Sequence, residues 1–262
     1  MWHIFQTSTT GVFVVPKKQT KPLVAELAPL SVVIPAVFLR DSMAEQDLHP
    51  LFRRIDEVSL LARTLLCFEA MPFVREIILV ICQADFMRIN ELCRHFSLTR
   101  LRQIICSDTP GLMSLRAGVY ATEHDSTYIA AHDPLRPFLT AELAEKTLLA
   151  AMHGNAAAPA LPVTDTIKIV QDNRVYHTPE RATLYTLQTP QIVEGSLLKA
   201  AIEQATMADS GTIESDTATD LQAILANLGL PLNLTQGCQE NIAIRTPMDI
   251  SAGEVILARR SI

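Results

Sequence analysis

The stretch Arg75–Cys82 reads REIILVIC, a short and almost uniformly apolar run that is typical of a strand buried on both faces of a sheet. Three similar runs lie around it, at Leu30–Val37 (LSVVIPAV), Leu101–Cys106 and Tyr128–Ala131. The segments between these runs carry apolar residues at helical spacing, at Ser59–Ala70 (with Ser59 as its N-cap), Phe86–Phe96 and Leu112–Thr122. Alternation of strand and helix favours parallel strands joined by right-handed helical crossovers. We therefore predict an α/β fold with a mostly parallel twisted sheet and helices on both faces.

The second half of the chain changes character. Ala157–Val170 contains two prolines and strand-like alternation, and together with Asn173–Leu187 it predicts a protruding β-arm at about residues 160–187. The other predicted elements are the helices Thr140–His153, Ser196–Met207, Asp216–Leu228 and Pro247–Leu257, and the strands Leu232–Gln236 and Asn241–Arg245. Residues 1–28 show no clear period and are predicted to form an irregular extension, so residues 29–262 form the single predicted domain.

Composition and charge exclude several classes of function. The 262 residues carry a net charge of −6, whereas a general nucleic-acid binder needs a basic face. The five cysteines include no C-x-x-C pair, which argues against a zinc site or a disulfide framework. The sequence begins with no secretory signal, and its longest apolar stretch, Ile77–Cys82, is far shorter than the ~20 residues that cross a bilayer. We expect a cytoplasmic protein that binds neither nucleic acid nor membrane.

One segment, Ala131–Phe138 (AHDPLRPF), places charged residues directly after the fourth predicted strand. In parallel sheets ligands bind at the carboxyl ends of the strands. An Asp at that position can ligate Mg²⁺, which takes carboxylate and phosphate oxygens. Asp133 is therefore a candidate metal ligand, and Arg136 can steady an anion or pin the loop. The alternative is that Asp133 is a structural turn residue, and this segment alone leaves both interpretations open.

Further motifs follow in a characteristic order. They are Ala158–Lys168 (APALPVTDTIK), His177–Arg181 (HTPER), Gln188–Gln191 (QTPQ), Ser215–Ala218 (SDTA), Asn241–Ile242 (NI) and Thr246–Asp249 (TPMD). With Ala131–Phe138 they resemble the 2-C-methyl-D-erythritol 4-phosphate cytidylyltransferase family, whose pattern runs HDAARP, P-V-x-DT-x-K, HT-x-x-R, QTPQ, TD-[DE]-A and NIK-x-T-x-P-x-D. The likeness is dense over residues 128–257, which is about half of the chain.

The resemblance implies a Rossmann-like sheet and a homodimer built through the β-arm. It also implies transfer of a cytidylyl group from CTP to methylerythritol phosphate, with release of pyrophosphate. The sugar phosphate would attack the α-phosphorus of CTP in line, helped by Mg²⁺ and basic side chains. Such chemistry rests on positioning and on neutralisation of charge.

The roles that the resemblance implies fall on particular residues of this chain. Asp133 matches the metal ligand, and Arg136 matches the Arg of the same loop. The implied nucleotide-binding residues are Pro35, Ala36, Ser114, Gly118 and Asp133. The implied substrate-phosphate residues are Asp165, Thr166, Lys168, Arg181 and Thr189. Arg181 is also a candidate catalytic residue, as is Arg40 in the nucleotide loop, whereas Lys168 and Arg181 could instead be solvated residues of the arm.

The resemblance fails where the family grips the nucleotide triphosphate. The family's P-A-A-G-x-G-x-R-M aligns with Pro35–Met43 (PAVFLRDSM), so Phe38 and Arg40 replace both glycines and Ser42 replaces the arginine. Glycines let a backbone approach phosphate oxygens, and Phe38 would place a ring where the phosphates should lie. The other departures are Pro50 for the lysine of P-K-Q, Gly111 for the arginine of G-G-x-x-R-x-x-S, Asp108 beside it, and Ala243 for the lysine of NIK. The candidates to replace the lost cations are Arg40, Arg53, Arg54 and Arg245.

Three functional hypotheses follow from these departures. One cationic or oxyanion donor is typically worth ~3–4 kcal/mol in rate, so the sequence predicts weak or absent cytidylyl transfer. The alternative is a non-catalytic homologue that acts as a binding, regulatory or heterodimer subunit, paired with an active relative. A third is nucleotidyl transfer from a different donor, because the fold does not fix the function.

Overall fold

The computed structural model describes residues 27–38, 49–123, 127–208, 221–226 and 228–260. Predictions that concern residues 1–26, Arg40, Ser42 and the start of the helix expected at Asp216–Leu228 lie outside these ranges. Within them, no helix is both long and apolar enough to span a membrane.

The described elements alternate between strand and helix through the first half of the chain, as the sequence predicts. The strands there are β1 (Leu30–Ala36), β2 (Arg54–Ile55), β3 (Val58–Ser59), β4 (Val74–Ile81), β5 (Leu101–Cys106) and β6 (Tyr128–Ala131), and the helices are α1 (Leu60–Glu69), α2 (Phe86–Arg94) and α3 (Leu112–Tyr120). The second half contains the strands β7 (Ala156–Pro162), β8 (Ile169–Gln171), β9 (Arg174–His177), β10 (Tyr185–Leu187), β11 (Gln191–Glu194) and β12 (Asn233–Gln236). Its helices are α4 (Ala141–Gly154), α5 (Gly195–Ala208), α6 (Leu221–Ala226) and α7 (Pro247–Arg260).

The main sheet has the strand order β10-β7-β11-β6-β1-β4-β5, and β12 pairs with β7. Strands β6, β1, β4 and β5 run parallel to one another. Strand β11 lies between β6 and β7 and is antiparallel to both. The predicted class, a mostly parallel Rossmann-like α/β fold, is confirmed. Because the four parallel strands point the same way, their carboxyl ends meet at one edge of the sheet.

Each central strand contributes side chains to two apolar cores, one on each face of the sheet. In β1, Val32 and Ile34 join the core that contains the apolar faces of α1, α4 and α7. Val33 points the other way, into the core formed with α3, α5 and α6. Successive strand residues face opposite sides, so a run without polar residues needs a cover on both faces. The helices on both faces, which the sequence predicts, supply that cover.

Pro35 occupies an unusual place, because a proline in a central strand removes a donor from the hydrogen-bond ladder. The carbonyl oxygen of Val33 accepts from the backbone N–H of His132, on the β6 side of β1. Pro35 has the same parity as Val33, so its missing N–H lies on that side too. Pairing with β6 ends at Val33. The proline is therefore tolerated at the end of β1 without loss of a ladder bond.

An exposed arm leaves the second half of the sheet. Strands β8 and β9 form a hairpin whose turn residues, Asp172 and Asn173, have φ values of 48° and 61°. Positive φ at both central residues is the geometry of a type I′ turn, which matches the twist of a hairpin. Residues 164–178 are all exposed. The arm that the sequence predicts is present as this hairpin, followed by β10.

Two sequence-based predictions in the second half are wrong or incomplete. Asn241–Arg245 is not a strand, because its backbone groups bond to neighbouring turns and loops rather than to a ladder. The N–H of Ile244, for example, donates to the carbonyl oxygen of Leu135 at 2.8 Å. The sequence pattern also gives no sign of β11 or, in the first half of the chain, of the short β2–β3 hairpin, because these strands are too brief to show a clear period.

Candidate functional site

The carboxyl ends of the parallel strands bring together residues that are far apart in the sequence. Phe38 follows β1, Gln83 follows β4, Asp108 follows β5 and Asp133 follows β6. The backbone N–H of Gln83 donates to Asp108 Oδ1 at 3.2 Å. The Cys82 thiol lies 3.6 Å from the Phe38 carbonyl oxygen. We call this edge the strand-end site.

Asp133 presents its two carboxylate oxygens to different partners. Oδ1 accepts from the backbone N–H of Leu135 at 2.9 Å and so closes the turn after β6. Oδ2 lies 3.5 Å from the Arg245 guanidinium and 3.8 Å from Nε of Arg136. Burial lowers the pKa of Arg136, and the Asp133 carboxylate opposes that shift. One oxygen thus has the role of a structural turn residue, and the other faces two cations.

Behind Asp133, a fully buried histidine is held by a chain of hydrogen bonds. Burial lowers the pKa of His132 to about 3, so its ring is neutral near pH 7. Its Nε2 lies 3.2 Å from the Arg136 carbonyl oxygen, which can only accept, so Nε2 carries the proton. Nδ1 must then accept from the Thr189 hydroxyl at 3.1 Å, and that hydroxyl oxygen accepts from the backbone N–H of Asp133 at 3.1 Å. The ring also packs edge-on against Phe68, with centroids 4.8 Å apart.

A second buried group, Asn241, ties three segments to this histidine chain. Its Nδ2 donates to the Thr189 carbonyl oxygen at 2.8 Å. Its backbone carbonyl oxygen accepts from Arg136 at 2.6 Å and from Gln188 at 3.3 Å. Gln188 also exchanges two hydrogen bonds with the backbone of Cys238. The QTPQ and NI motifs therefore build a buried scaffold behind the site. The implied phosphate contact of Thr189 stays a prediction, because the residue is only 4% exposed and its hydroxyl is already bonded twice.

Arg245 supplies a cation near the position where the family pattern has a lysine. It lies two residues after Ala243, and its guanidinium is 60% exposed while it pairs with Asp133. Arg53 donates to the Arg245 carbonyl oxygen at 2.6 Å and so braces this segment. Arg54 pairs with an exposed glutamate on the β2–β3 hairpin instead. Of the candidate replacements in the described ranges, Arg245 is the one in contact with Asp133.

The end of the site after β1 is built differently. The Phe38 ring packs edge-on against His49, with centroids 5.5 Å apart. His49 Nε2 lies 3.5 Å from Asp85 Oδ2, and His49 Nδ1 accepts from the backbone N–H of Leu51. Pro50 begins a short 3₁₀ turn that His49 caps. The edge-on pair of Phe38 and His49, followed by Pro50, thus lies at positions where the family pattern has a glycine loop and a lysine.

Glycines at the start and middle of α3 have clear structural reasons. Gly111 precedes α3 with φ 69° and ψ −139°, a conformation open in practice only to glycine, so an arginine there would be strained. Ser114 donates to the Gly111 carbonyl oxygen at 2.8 Å. A Cβ on Gly118 would lie 2.3 Å from Val33 Cγ1, so this glycine lets α3 approach the sheet. The implied nucleotide contacts of Ser114 and Gly118 stay predictions.

The predicted substrate-phosphate residues of the arm are exposed. Lys168 Nζ donates to the Thr178 hydroxyl at 2.8 Å, and Arg181 donates to a backbone carbonyl oxygen of the arm at 3.2 Å. Asp165 and Thr166 lie beside them in the same exposed segment. Among the described residues, the hydrogen bonds of Lys168 and Arg181 stay within the arm. Both side chains are solvated, and their roles toward a phosphate remain predictions.

The remaining predicted site residues concern the nucleotide loop and the metal. Pro35 and Ala36 are buried at the end of β1, and Arg40 lies outside the described ranges. In the described part of the chain, no three histidine, cysteine or acidic side chains cluster as a metal site would require. Asp133 is therefore a single-carboxylate candidate.

The sequence analysis missed the internal roles of His132 and of the His49–Asp85 pair. His132 carries a weak signal, because it stands in the quoted HD motif beside the metal candidate. His49 and Asp85 carry none, since each is an isolated polar residue whose partner is brought close only by the packing of two 3₁₀ turns.

A mostly parallel sheet with an aspartate at the carboxyl end of a central strand, backed by a buried polar scaffold, places this chain among the Rossmann-like α/β proteins, which bind their ligands at that edge of the sheet. The sequence model of the 2-C-methyl-D-erythritol 4-phosphate cytidylyltransferase family matches residues 16–259, and the chain belongs to that family.

Individual relatives agree with this assignment. The 2-C-methyl-D-erythritol 4-phosphate cytidylyltransferase of Alkaliphilus oremlandii is 31% identical over 218 residues, which cover 82% of this chain and 89% of the relative. That of Halalkalibacterium halodurans is 29% identical over 230 residues, covering 88% and 97%. The crystal structure of 4-diphosphocytidyl-2C-methyl-D-erythritol synthase from Anaerococcus prevotii superposes with a TM-score of 0.73 at 25% identity, covering 88% of this chain and 96% of that one. The family resemblance inferred from the motifs is confirmed.

Proposed function

We propose that this chain is a cytidylyltransferase homologue with a working acceptor end and a defective nucleotide end. It transfers cytidylyl from CTP to methylerythritol phosphate, in the isoprenoid precursor pathway, weakly or not at all. The observation that carries the proposal is the packing of Phe38 on His49, with Pro50 at the position of the missing lysine. That stack occupies the end of β1, where close backbone approach and positive charge would hold a triphosphate.

The donor set at Asp133 fits a magnesium ion that arrives with the nucleotide. Mg²⁺ is commonly held by one or two carboxylates plus substrate phosphates, with water completing its shell. Asp133 Oδ2 is the available oxygen, since Oδ1 is engaged by Leu135. The ion would neutralise charge on the phosphates, and Asp133 would orient it after giving up its contact with Arg245.

We assign Arg245 to the acceptor phosphate, in place of the family's lysine, whose position Ala243 occupies in this chain. Its guanidinium is more than half exposed and is held at the edge of the site by a backbone contact with Arg53. Guanidinium groups bind phosphates through two parallel hydrogen bonds, so Arg245 can serve where a lysine is lost. Arg181 and Lys168 would reach the same phosphate from the arm.

Calorimetric titration of the chain with CTP and Mg²⁺ tests the proposal, together with a sensitive assay of pyrophosphate release. The relative from Alkaliphilus oremlandii serves as the positive control. We expect CTP binding at least tenfold weaker than in that relative, and turnover reduced by about 100-fold or more, since one donor can be worth that much. Affinity and turnover equal to those of the control would overturn the proposal.

A second candidate is a non-catalytic homologue that acts as a binding, regulatory or heterodimer subunit. The stack of Phe38 on His49 favours it, because such packing closes the nucleotide end. It predicts no thermal shift with CTP and no pyrophosphate release at any enzyme concentration, while association through the arm persists. Any reproducible cytidylyl transfer excludes this candidate in favour of the weak enzyme.

We further propose that the arm is the contact of a homodimer, or of a heterodimer with an active relative. Its hairpin exposes Val170, Val175 and Tyr176 at 54%, 62% and 73%. Exposed apolar side chains on one hairpin are typical of an interface. Sedimentation velocity should show a dimer, and a Val175→Ser, Tyr176→Ser variant should sediment as a monomer. A monomeric parent, alone and mixed with an active relative, would contradict this.

A further inference from the structure

A cavity of about 580 Å³ lies away from the strand-end site. It is lined by the β2–β3 hairpin on one side and by α2 and the turn after it on the other, and its lining includes Phe52, Arg54, Arg88, Leu92, His95 and Phe96. Its volume falls within the ~300–1,000 Å³ of small-molecule sites. None of Phe38, Asp108 and Asp133 contributes to its wall. The cavity is therefore not part of the nucleotide or acceptor region.

The wall combines aromatic surface with positive charge. The Arg88 guanidinium lies over the Phe52 ring, 3.7 Å from its centroid, and pairs with no carboxylate among the described residues. Among the described residues Arg54 pairs only with Glu57, at 3.5 Å, and both side chains are largely exposed. Such exposed pairs contribute little, so Arg54 is available to a ligand. Glu57 and Glu91 also line the cavity, so two carboxylates oppose the charge of the two arginines.

His95 adds a polar group with a defined orientation. Its Nδ1 lies 2.8 Å from the Glu91 carbonyl oxygen, which can only accept, so Nδ1 carries a proton. In the neutral ring, Nε2 is then left as an acceptor, and in the protonated ring as a second donor. The wall therefore offers guanidinium groups, an imidazole and two phenyl rings, a set that suits an aromatic body with an anionic group.

The hairpin side of the cavity is held in a fixed shape. Its turn residues Asp56 and Glu57 have φ values of 48° and 61°, the type I′ geometry that matches the twist of a hairpin. Arg63 of α1 donates to the carbonyl oxygens of Ile55 and Asp56 at 3.0 Å and 3.3 Å. The wall that carries Arg54 is thus braced from behind, which lowers the ordering cost of binding.

The same wall is continuous with the altered nucleotide end. Phe52 packs against His49 with ring centroids 5.5 Å apart, and His49 packs against Phe38 at the same distance. A continuous series of side-chain contacts therefore runs from the cavity to the end of β1, through Arg88, Phe52, His49 and Phe38. A ligand on Arg88 and Phe52 would contact the first two members of that series.

From this geometry we infer that the cavity is a second ligand site, specific for an aromatic organic anion. The aromatic body packs on Phe52 and Phe96, and the anionic group lies between Arg54 and Arg88. This inference does not rest on the proposed cytidylyl transfer, so the two proposals are tested separately.

The probe for this site is 8-anilinonaphthalene-1-sulfonate, an aromatic anion whose fluorescence rises on binding. The full chain should bind it saturably at one equivalent. Arg88→Gln should weaken binding about five- to tenfold, because it removes a charged hydrogen-bond donor. Arg94→Gln, an exposed arginine of the same helix that lines a different and smaller depression, is the matched control and should leave binding unchanged.

Two further measurements test the predicted direction of the change in affinity. Glu57→Gln frees Arg54 from its carboxylate and should tighten binding about twofold to threefold, which a merely structural role would not produce. The uncharged analogue N-phenyl-1-naphthylamine should bind at least tenfold more weakly than the sulfonate. The inference is overturned by non-saturable binding, by equal effects of Arg88→Gln and Arg94→Gln, or by equal affinity for the uncharged analogue. Thermal melts that match the parent ensure that the variants are folded.

Discussion

The two ends of the strand-end site use their polar groups in opposite ways. After β6, the side chains of His132, Thr189 and Asn241 bond to one another and to backbone, and none of them reaches solvent appreciably. After β1, Phe38 and His49 form a stack, and the cation of the family pattern is replaced by Pro50. One end is a buried hydrogen-bonded scaffold, in which Asn241 Oδ1 has no hydrogen-bond partner among the described residues, and the other is an apolar and imidazole surface.

This difference shows what the family motifs report. The motifs that match, HD, QTPQ and NI, hold β6, β11 and the segment at Asn241 together, so matching them predicts the fold. The departures at Phe38, Pro50 and Gly111 lie outside the scaffold behind β6, whereas the departure at Ala243 lies within its Asn241 segment. The residues that hold the fold together therefore differ for the most part from those on which the proposed loss of nucleotide binding rests.

The largest expected effect comes from restoring the nucleotide end. A Phe38→Gly, Pro50→Lys double variant removes the ring from the end of β1 and returns an ammonium group to the start of the 3₁₀ turn. We expect pyrophosphate release to rise about 100-fold, since one cationic or hydrogen-bonding group at such a site is worth roughly that factor.

The matched control for this restoration is Phe38→Gly, Pro50→Ala, which removes the same ring and the same proline without adding charge. Its rate should rise less and stay at least about tenfold below that of the lysine variant, because it lacks the placed charge. If both double variants behave alike, the missing lysine does not explain the defect. If neither double variant gains activity, Phe38 and Pro50 are not the residues that limit the nucleotide end.

The next effect tests the scaffold end. Thr189→Val keeps the shape of the side chain but removes the hydroxyl that links His132 Nδ1 to the backbone N–H of Asp133. Two buried groups lose a partner, so the free energy of unfolding should fall by about 2 kcal/mol. Thr186→Val is the control, because that hydroxyl is exposed and makes one long hydrogen bond at 3.3 Å. If the two variants lose the same free energy of unfolding in urea denaturation, the buried chain of hydrogen bonds contributes no more to stability than one exposed hydroxyl.

A pH effect of His132 ranks third. Its folded pKa of about 3 lies below the ordinary value of 6.5, so the unfolded chain takes up a proton that the folded chain does not. Its contribution to stability is complete above about pH 6.5 and is lost as the pH falls toward 3. Between pH 6.5 and 5 this should reduce the free energy of unfolding by ~1.5 kcal/mol.

The check on this linkage is urea denaturation of His132→Gln and of His153→Gln, an exposed control. The first variant should lose most of that pH dependence, and the second should retain it. The measurement stays above pH 5 because the pKa values of Glu69 and Glu194 are lowered as well, through hydrogen bonds that outweigh their burial. Their loss of stability begins only below that range. An unchanged slope in His132→Gln would refute the assignment.

The sequence predicted the fold best where strands are uniformly apolar. Runs such as Arg75–Cys82 need a cover on both faces, and that requirement alone predicts the layered α/β arrangement. Asn241–Arg245 misled because NIAIR alternates like a strand, whereas Asn241 turns inward to bond Thr189. The four residues of β11 are too few to show a period.

The candidate site was predictable in part for a similar reason. Asp133 follows a strand and belongs to a motif, so its position at the sheet edge follows from the chain direction. The pairing of His132 with Thr189 depends on β11 running antiparallel beside β6, which no local pattern reveals. Likewise, His49 meets Asp85 only through tertiary packing. Long-range hydrogen bonds between isolated polar residues leave no periodic signal in a single sequence.

The smallest expected effect tests whether the position of Arg245 beside Asp133 matters for binding at the acceptor end. Asp249 accepts from the backbone N–H groups of Arg245 and Thr246 at 2.9 Å and 2.7 Å, and its own N–H donates back to the Thr246 hydroxyl at 3.3 Å. This is a capping box at the start of α7, so Asp249→Ala should cost about 1 kcal/mol of stability. Glu254→Ala, an exposed change within the same helix, should cost clearly less. Because the cap also fixes the backbone of Arg245 beside Asp133, Asp249→Ala should weaken binding of methylerythritol phosphate in calorimetry, whereas Glu254→Ala should not. Loss of stability without loss of this binding would separate Arg245 from the acceptor end of the site.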